Sequence, residues 1–240
     1  MKNYRIADLS VNMSVGGTNE KQSEKYKVSD SADKNADIVI PDLGSAVQYL
    51  MTVYEGMSED SAAYQAAGVA FYKALIDFNG FMLHASAVVL EDRAYLFSAD
   101  SGVGKSTHTA LWLQRFPSAY ILNDDKPAIR LVDGKPYAYG TPWSGKTDTS
   151  VNVGVPLGAI CFLQRAEEND IRPLSAASAI HKLMRQTAPH RQMGKEKIDK
   201  LLDIWETVLL ACPVYEMGCL PQAQAAELAY RTMKGIHYAD

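Results

Sequence analysis

The chain has 240 residues, 47% of them hydrophobic and 22% charged, with 16 Gly and 10 Pro. That length and balance allow one large domain or two small ones with a self-sufficient core, and they exclude disordered and fibrous classes. A net charge of −4, with no block of Lys or Arg, gives no electrostatic footprint for nucleic acid or for an anionic membrane surface.

The first eighty residues read as a small β-rich module that ends in a helix. Tyr4–Val15 alternates weakly, GGTNEKQSEK follows as a polar loop, and Ala36–Pro41 is a short apolar run. Ser45–Gly56 is open between helix and strand. A clearer helix starts at Ser58, a good N-cap followed by Glu59 and Asp60, and Gly80 can close it. From Phe81 the texture changes. FMLHASAVVL and RAYLFSA read as two strands of a hairpin turning at Glu91-Asp92-Arg93. A glycine-rich loop, a helix from Lys105 to about Phe116 and the buried strand AYILNDD follow. AIRLVDGKPYAYG is a hairpin whose Asp133-Gly134 suits a type I′ turn. Pro156–Arg165 and Ile171–Leu174 are further strands. Helices are expected over about Ser175–Ala188, Lys195–Cys212 and Gln222–Lys234, with a short strand at Val214–Leu220. The expected layout is a mixed α/β (α+β) core over 81–240 with a helical tail, carrying an N-terminal β-rich appendage over 1–80.

Cys161, Cys212 and Cys219 form no CxxC and have no paired histidine spacing, which argues against a disulfide framework or a zinc site. The opening MKNYRIADLSVNM lacks the apolar stretch of a secretory signal. The run Val151–Gln164, interrupted by Gly and Pro, is too short to span a bilayer. The expected address is the cytoplasm.

The strongest chemical signal is Ala99-Asp100-Ser101-Gly102-Val103-Gly104-Lys105-Ser106-Thr107, after an apolar strand and at the opening of a helix. That is the setting a phosphate-binding loop requires. Gly102 and Gly104 let the backbone approach an anion, and the freed amides from Ser101 through Val103 to Thr107 cradle its oxygens. Lys105 is expected on the outer phosphates of ATP and the Ser106 hydroxyl on Mg²⁺. The motif's first position is Ala99 where a glycine is usual, which requires a negative φ there. The second signal is Asn123-Asp124-Asp125 at a strand end, where α/β sheets place ligand groups. One carboxylate can hold metal while the other accepts a hydroxyl proton. Asp124 is the favoured base and Asp125 the favoured metal ligand.

Weaker candidates surround these. His84, mid-strand, is either a core histidine or a group facing the phosphate loop. Gly140–Lys146 is either a structural turn or a second anion-contacting loop with Lys146 aimed at the transferred phosphoryl group. His108 is expected to pack, Trp205 to be core, and His190-Arg191 to be an exposed basic pair or a substrate-anion clamp.

Taken in order, HASAV, SGVGKST, the strand-ending NDD and TPWSGK resemble the HPr kinase-like proteins, which share a P-loop fold with the phosphoenolpyruvate carboxykinases. The likeness covers roughly Phe81 to Arg165. It implies that Gly102–Thr107 bind ATP phosphates, that Asp124 and Asp125 serve metal and proton roles, and that His84 lies in the active site. Thr107 stands where the true HPr kinase/phosphorylases carry an acidic residue, and TPWSGK stands where they have a glycine-rich signature. The closer similarity is therefore to the short HPr kinase-related branch, related members of which phosphorylate a serine hydroxyl on a free amino acid or a peptide end. The resemblance implies a Mg-ATP-dependent kinase acting on a small-molecule or peptide hydroxyl, with a homo-oligomer allowed by analogy. A carboxykinase-like lyase and a non-catalytic nucleotide-binding accessory protein remain the alternatives.

Overall fold

A computed structural model of the chain describes residues 1–28, 35–187 and 193–234. Lys2–Ile6 (β1) and Leu9–Met13 (β2) pair antiparallel around Ala7-Asp8, both at positive φ, and Ile38–Ile40 (β3) runs parallel to β2. The polar stretch expected as a loop is instead a helix, Gly17–Ser23 (α1), followed by a 3-10 turn to Tyr26. Its polarity misleads because Asn19, Gln22 and Ser23 are buried. The helix takes its N-terminal partner from elsewhere: the Thr18 amide donates to Asp60 at 2.8 Å.

Ser45–Gly56 resolves as the helix Gly44–Val53 (α2). The next helix, Glu59–Leu75 (α3), begins as expected, with the Ser61 amide donating to Ser58 Oγ at 3.2 Å. Its end differs from expectation. Asn79, at φ 56, takes the left-handed turn, and Gly80 already belongs to the next strand. There a Cβ would meet the Ile129 carbonyl oxygen at 2.8 Å, so the glycine serves close strand packing.

The central sheet has nine strands. FMLHASAVVL, expected as one strand, is two: Gly80–Met82 (β4) and Ala85–Leu90 (β5). The break arises because the Leu83 amide turns to the Pro127 carbonyl and the His84 amide to the Gln186 carbonyl. The two pieces then join different neighbours. β4 pairs with Ala128–Val132 (β8), whereas β5 lies between Arg93–Ser98 (β6) and Tyr120–Asn123 (β7). β8 continues through Asp133-Gly134, both at positive φ as the type I′ turn demands, into Lys135–Tyr139 (β9). The longest strand, Gly154–Arg165 (β10), ties the sheet together. Its first residues pair antiparallel with β9, and its remainder lies parallel between β6 and Val214–Cys219 (β12). Asp170–Pro173 (β11) completes the edge against β12.

Helices cover both faces. Lys105–Arg115 (α4) and Ala223–Lys234 (α7) pack on one face, where Phe97, Trp112, Ala225 and Ala229 are buried together. Ala176–Gln186 (α5) and Lys195–Ala211 (α6) cover the other through Leu183, Leu201, Ile204 and Trp205, the last core as expected. The result is a mixed α/β architecture in three layers. The N-terminal strands and α3 form a further apolar cluster, which runs without a gap into Met82, Ala128, Tyr139 and Trp143. Cys161, Cys212 and Cys219 are free thiols, the first two fully buried. Among the described residues no helix is long and apolar enough to cross a membrane.

His108 packs, as expected. It lies against Phe97 with ring centroids 4.5 Å apart, and Trp112 Nε1 donates to its Nε2 at 3.2 Å. Burial pushes the imidazole from 6.5 down to about 4. As pH falls below 6.5 the unfolded chain therefore takes up the proton and the folded chain does not, so stability drops until about pH 4. Urea denaturation at pH 7 and pH 4.5 should give wild type an extra acid loss of about 2 kcal/mol relative to His108→Phe. Equal losses would mean that the ring is not held neutral.

Candidate functional site

One edge of the sheet collects every strong candidate. β5 pairs with β6 so that Ala85 lies opposite Ser98, and with β7 so that Ala87 lies opposite Asn123. The start of β5 and the ends of β6 and β7 therefore meet. Because side chains alternate, Ala85 and Ala87 enter the core beneath α5 and α6, while Ser86 points to the α4 face.

Ala99–Gly104 connects β6 to α4. Gly102 and Gly104 have φ of 77° and 123°, conformations that a side chain would strain. Ala99 has negative φ and is buried, so the loop accepts it in place of glycine. A Cβ at Gly102 would touch nothing within 4 Å, and one at Gly104 would meet only Thr107 at 3.9 Å. The loop thus fronts an open cradle at the N-terminus of α4. Ser101, Ser106 and Thr107 are exposed there, and Val103 is half-buried. Lys105 folds back, its Nζ donating to the Ala99 carbonyl at 3.1 Å. Burial pushes its ammonium below the ordinary lysine value, against the opposing pull of Asp125 and Asp124. Arg165, at the end of β10, braces the loop from outside through the Gly102 carbonyl at 2.8 Å.

The carboxylate pair is set by Asn123, whose importance the sequence reading missed. Its buried Oδ1 accepts the Asp125 amide at 3.0 Å and the Lys126 amide at 2.7 Å, while Nδ2 donates to the Thr141 carbonyl at 2.9 Å. This is a turn closed by a side chain, and it aims the two aspartates differently. Asp124 accepts from Ser86 Oγ at 2.7 Å and from Thr147 Oγ1 at 3.2 Å, and Ser86 in turn meets Thr109 Oγ1 of α4 at 2.9 Å. Asp125 faces His84 Nε2 at 3.3 Å and pairs with Lys126. Burial pushes the Asp125 carboxyl up, but the hydrogen bond from His84 and the charge and hydrogen bond of Lys126 outweigh it. The carboxyl is held below its ordinary value.

Gln186, at the end of α5, is a second residue missed from sequence. Its carbonyl oxygen lies 3.2 Å from His84 Nδ1 and its amide donates to Asp100 Oδ1 at 2.8 Å, so one side chain bridges the histidine and the phosphate loop. His84, Lys105, Asp124 and Asp125 are therefore brought together. Lys146 is not joined to them by a hydrogen bond or an ion pair among the described residues: it is exposed on a 3-10 turn and shares only the wall of a cavity with Asp125. Its neighbour Trp143 is core, stacked on Phe71 at 5.1 Å, with Nε1 donating to the Tyr64 carbonyl. His190-Arg191 lies outside the described residues.

Two cavities open beside this junction. One of about 470 Å³ lies between Ala99-Asp100 and α5, lined also by His181, Lys182 and Arg185. The other, of about 760 Å³, reaches from Asp125 to α1 and α3. Among the described residues no three His, Cys, Asp or Glu side chains gather into a metal cluster. The oxygen donors at hand, the Ser106 hydroxyl and the two carboxylates, are hard ligands of the kind that Mg²⁺ takes alongside phosphate oxygens and water.

No known family's model matches the chain, and no curated protein does. Among solved structures it is similar to the Hpr(Ser) kinase/phosphatase from Coxiella burnetii, at 12% identity and a TM-score of 0.37. The match covers 64% of this chain and 99% of that one.

Asn123→Ala removes the acceptor for two amides and the donor for a buried carbonyl. It should destabilise the fold by about 1–3 kcal/mol, read as a shift in the urea midpoint. An unchanged midpoint would mean that the turn is held by Lys126 and Thr141 alone.

Proposed function

We propose that the protein is a Mg-ATP-dependent kinase that phosphorylates a hydroxyl, serine-like, on a small molecule or peptide. One observation carries this reading: a glycine loop with its lysine and a pair of carboxylates meet at a single sheet edge. The residues fit the nucleotide. The cradle before Gly102 and Gly104 is open, the loop amides and Lys105 are donors, and Ser106 with an aspartate can hold the cation.

Mg-ATP, when bound, supplies the γ-phosphoryl group together with the charge shielding its transfer needs. Lys105 and the loop amides hold the outer phosphates. We assign the metal to Ser106 and Asp124 and the proton to Asp125, the reverse of the expectation from sequence. The reason is geometric. Asp124 is tied through Ser86 to Thr109, on the helix that carries Ser106, whereas Asp125 opens into the larger cavity. Asp125 takes the acceptor's hydroxyl proton as the acceptor oxygen bonds to phosphorus, and the bond to the β-phosphate oxygen breaks, releasing ADP. A carboxyl held low is a poor base toward a free alcohol. The proton therefore moves late, once bonding to phosphorus has made the hydroxyl acidic. His84 and Lys126 orient the carboxylate meanwhile.

Calorimetric titration should give Mg-ATP binding that Lys105→Ala abolishes and Asp125→Asn retains. Phosphoryl transfer in Asp125→Asn should fall by about 10²–10⁴-fold. Transfer that survives in Asp125→Asn but not in Asp124→Asn would return the base to Asp124. Nucleotide binding without transfer to any hydroxyl would leave a non-catalytic binding protein, and no binding at all would remove the kinase reading.

A further inference from the structure

We propose that the cavity of about 760 Å³ beside Asp125 is the acceptor site, and that it takes a small hydroxyl-bearing carboxylate with an apolar or aromatic body. That the occupant is phosphorylated, and that its anion is a carboxylate rather than a phosphate, rests on the kinase reading above; that an anion with an apolar body binds does not.

Size is the first argument. This volume lies in the range of small-molecule pockets and is too small for the surface of a folded partner. The walls are the second. Val69 and Tyr64, both half-buried, form an apolar side that is backed by the buried Met82 and Trp143. Trp143 cannot swing aside, being stacked on Phe71 and hydrogen-bonded to the Tyr64 carbonyl at 3.1 Å. Tyr64 in turn donates to Gln22 at 2.9 Å. The wall is preformed, so an apolar body enters without ordering cost.

Charge is the third argument. Of the lining carboxylates, Asp125 is paired with Lys126 and Asp148 with Lys25. Lys21 and Lys146 also line the cavity, both exposed, and neither has an ion pair among the described residues. Among the lining residues the unpaired charge is therefore positive, and it matches an anion; the nearby Asp60 carboxylate is occupied by the Thr18 amide and hydroxyl. A carboxylate suits it better than a phosphate, whose second charge would add to the repulsion between the acceptor, the γ-phosphoryl group and the two aspartates. The occupant's hydroxyl then points to Asp125 and its carboxylate to Lys21 and Lys146. Lys146, which the sequence aimed at the transferred phosphoryl group, acquires a different role.

The test uses the full chain, with and without Mg-ADP, titrated calorimetrically with N-benzoyl-L-serine, N-benzoyl-L-threonine and 3-phenyllactate, each against its methyl ester. At least one acid should bind, with its ester about tenfold weaker or more. Lys21→Glu combined with Lys146→Glu should erase the preference for acid over ester. Gln65→Trp, at an exposed helical position lining the cavity, should block binding while Mg-ATP affinity stays at the wild-type value. No binding by any of the acids in either condition would overturn the proposal, as would equal affinity for acid and ester, or binding indifferent to Gln65→Trp. The two readings fail separately. Acid binding without Mg-ATP binding keeps this site and removes the kinase, whereas phosphoryl transfer from Mg-ATP to another hydroxyl, without acid binding, keeps the kinase and removes this site.

Discussion

The register of β5 between β6 and β7 is the constraint from which the rest of the site follows. Ala85 opposite Ser98 and Ala87 opposite Asn123 bring two separate loop exits to one edge and leave Ser86 on the α4 face. Side chains alternate, so a slip of one residue would turn Ser86 into the apolar layer under α5 and α6. The same slip would strip Asp124 of its donor. That outcome is guarded against on both sides. Ala85, Ala87 and Val89 are buried among Leu183, Trp205 and Val208, an apolar layer in which a hydroxyl would lose its solvation. The apolar face thus fixes the polar one.

What the strands bring together, a few polar side chains lock. Asn123 closes the turn that separates the two aspartates, the Ser86–Thr109 contact ties one of them to α4, and Gln186 links His84 to Asp100. Apart from the exposed Asp100, these groups are buried or half-buried, where a satisfied hydrogen bond is strong and an orphaned one is costly. The same balance governs Lys105. Burial works against its charge, and the two carboxylates and the Ala99 carbonyl offset that penalty while the cradle in front of it stays open.

The glycine loop and the aspartate pair were legible in the sequence because their requirements are local: positive φ at two glycines and polar residues at a strand end. The order of strand, loop and helix around them was legible for the same reason, since apolar runs and turn residues mark it directly. Three things were hidden. The break at His84 lies inside a continuous apolar run, and only the distant Gln186 and Pro127 carbonyls create it. Helix α1 looked like a loop because its polar side chains are buried against α3 and the 142–148 segment, which no one-dimensional pattern reports. Gln186 sits on an ordinary amphipathic helix, and its role depends on where that helix ends. In each case the information lies in tertiary contacts between residues far apart in the chain.

Trp143 has a consequence for how the chain is made. It fills a slot among Phe71, Tyr72 and Gly68, and a Cβ on Gly68 would come within 2.9 Å of the indole. Synthesis delivers α3 long before Trp143, at roughly 5–20 residues per second. Throughout that interval Gly68, Phe71 and Tyr72 lack the side chain that fills their slot in the fold. The N-terminal third is thus finished by a residue from the middle of the chain, and its core cannot close before that residue has been made.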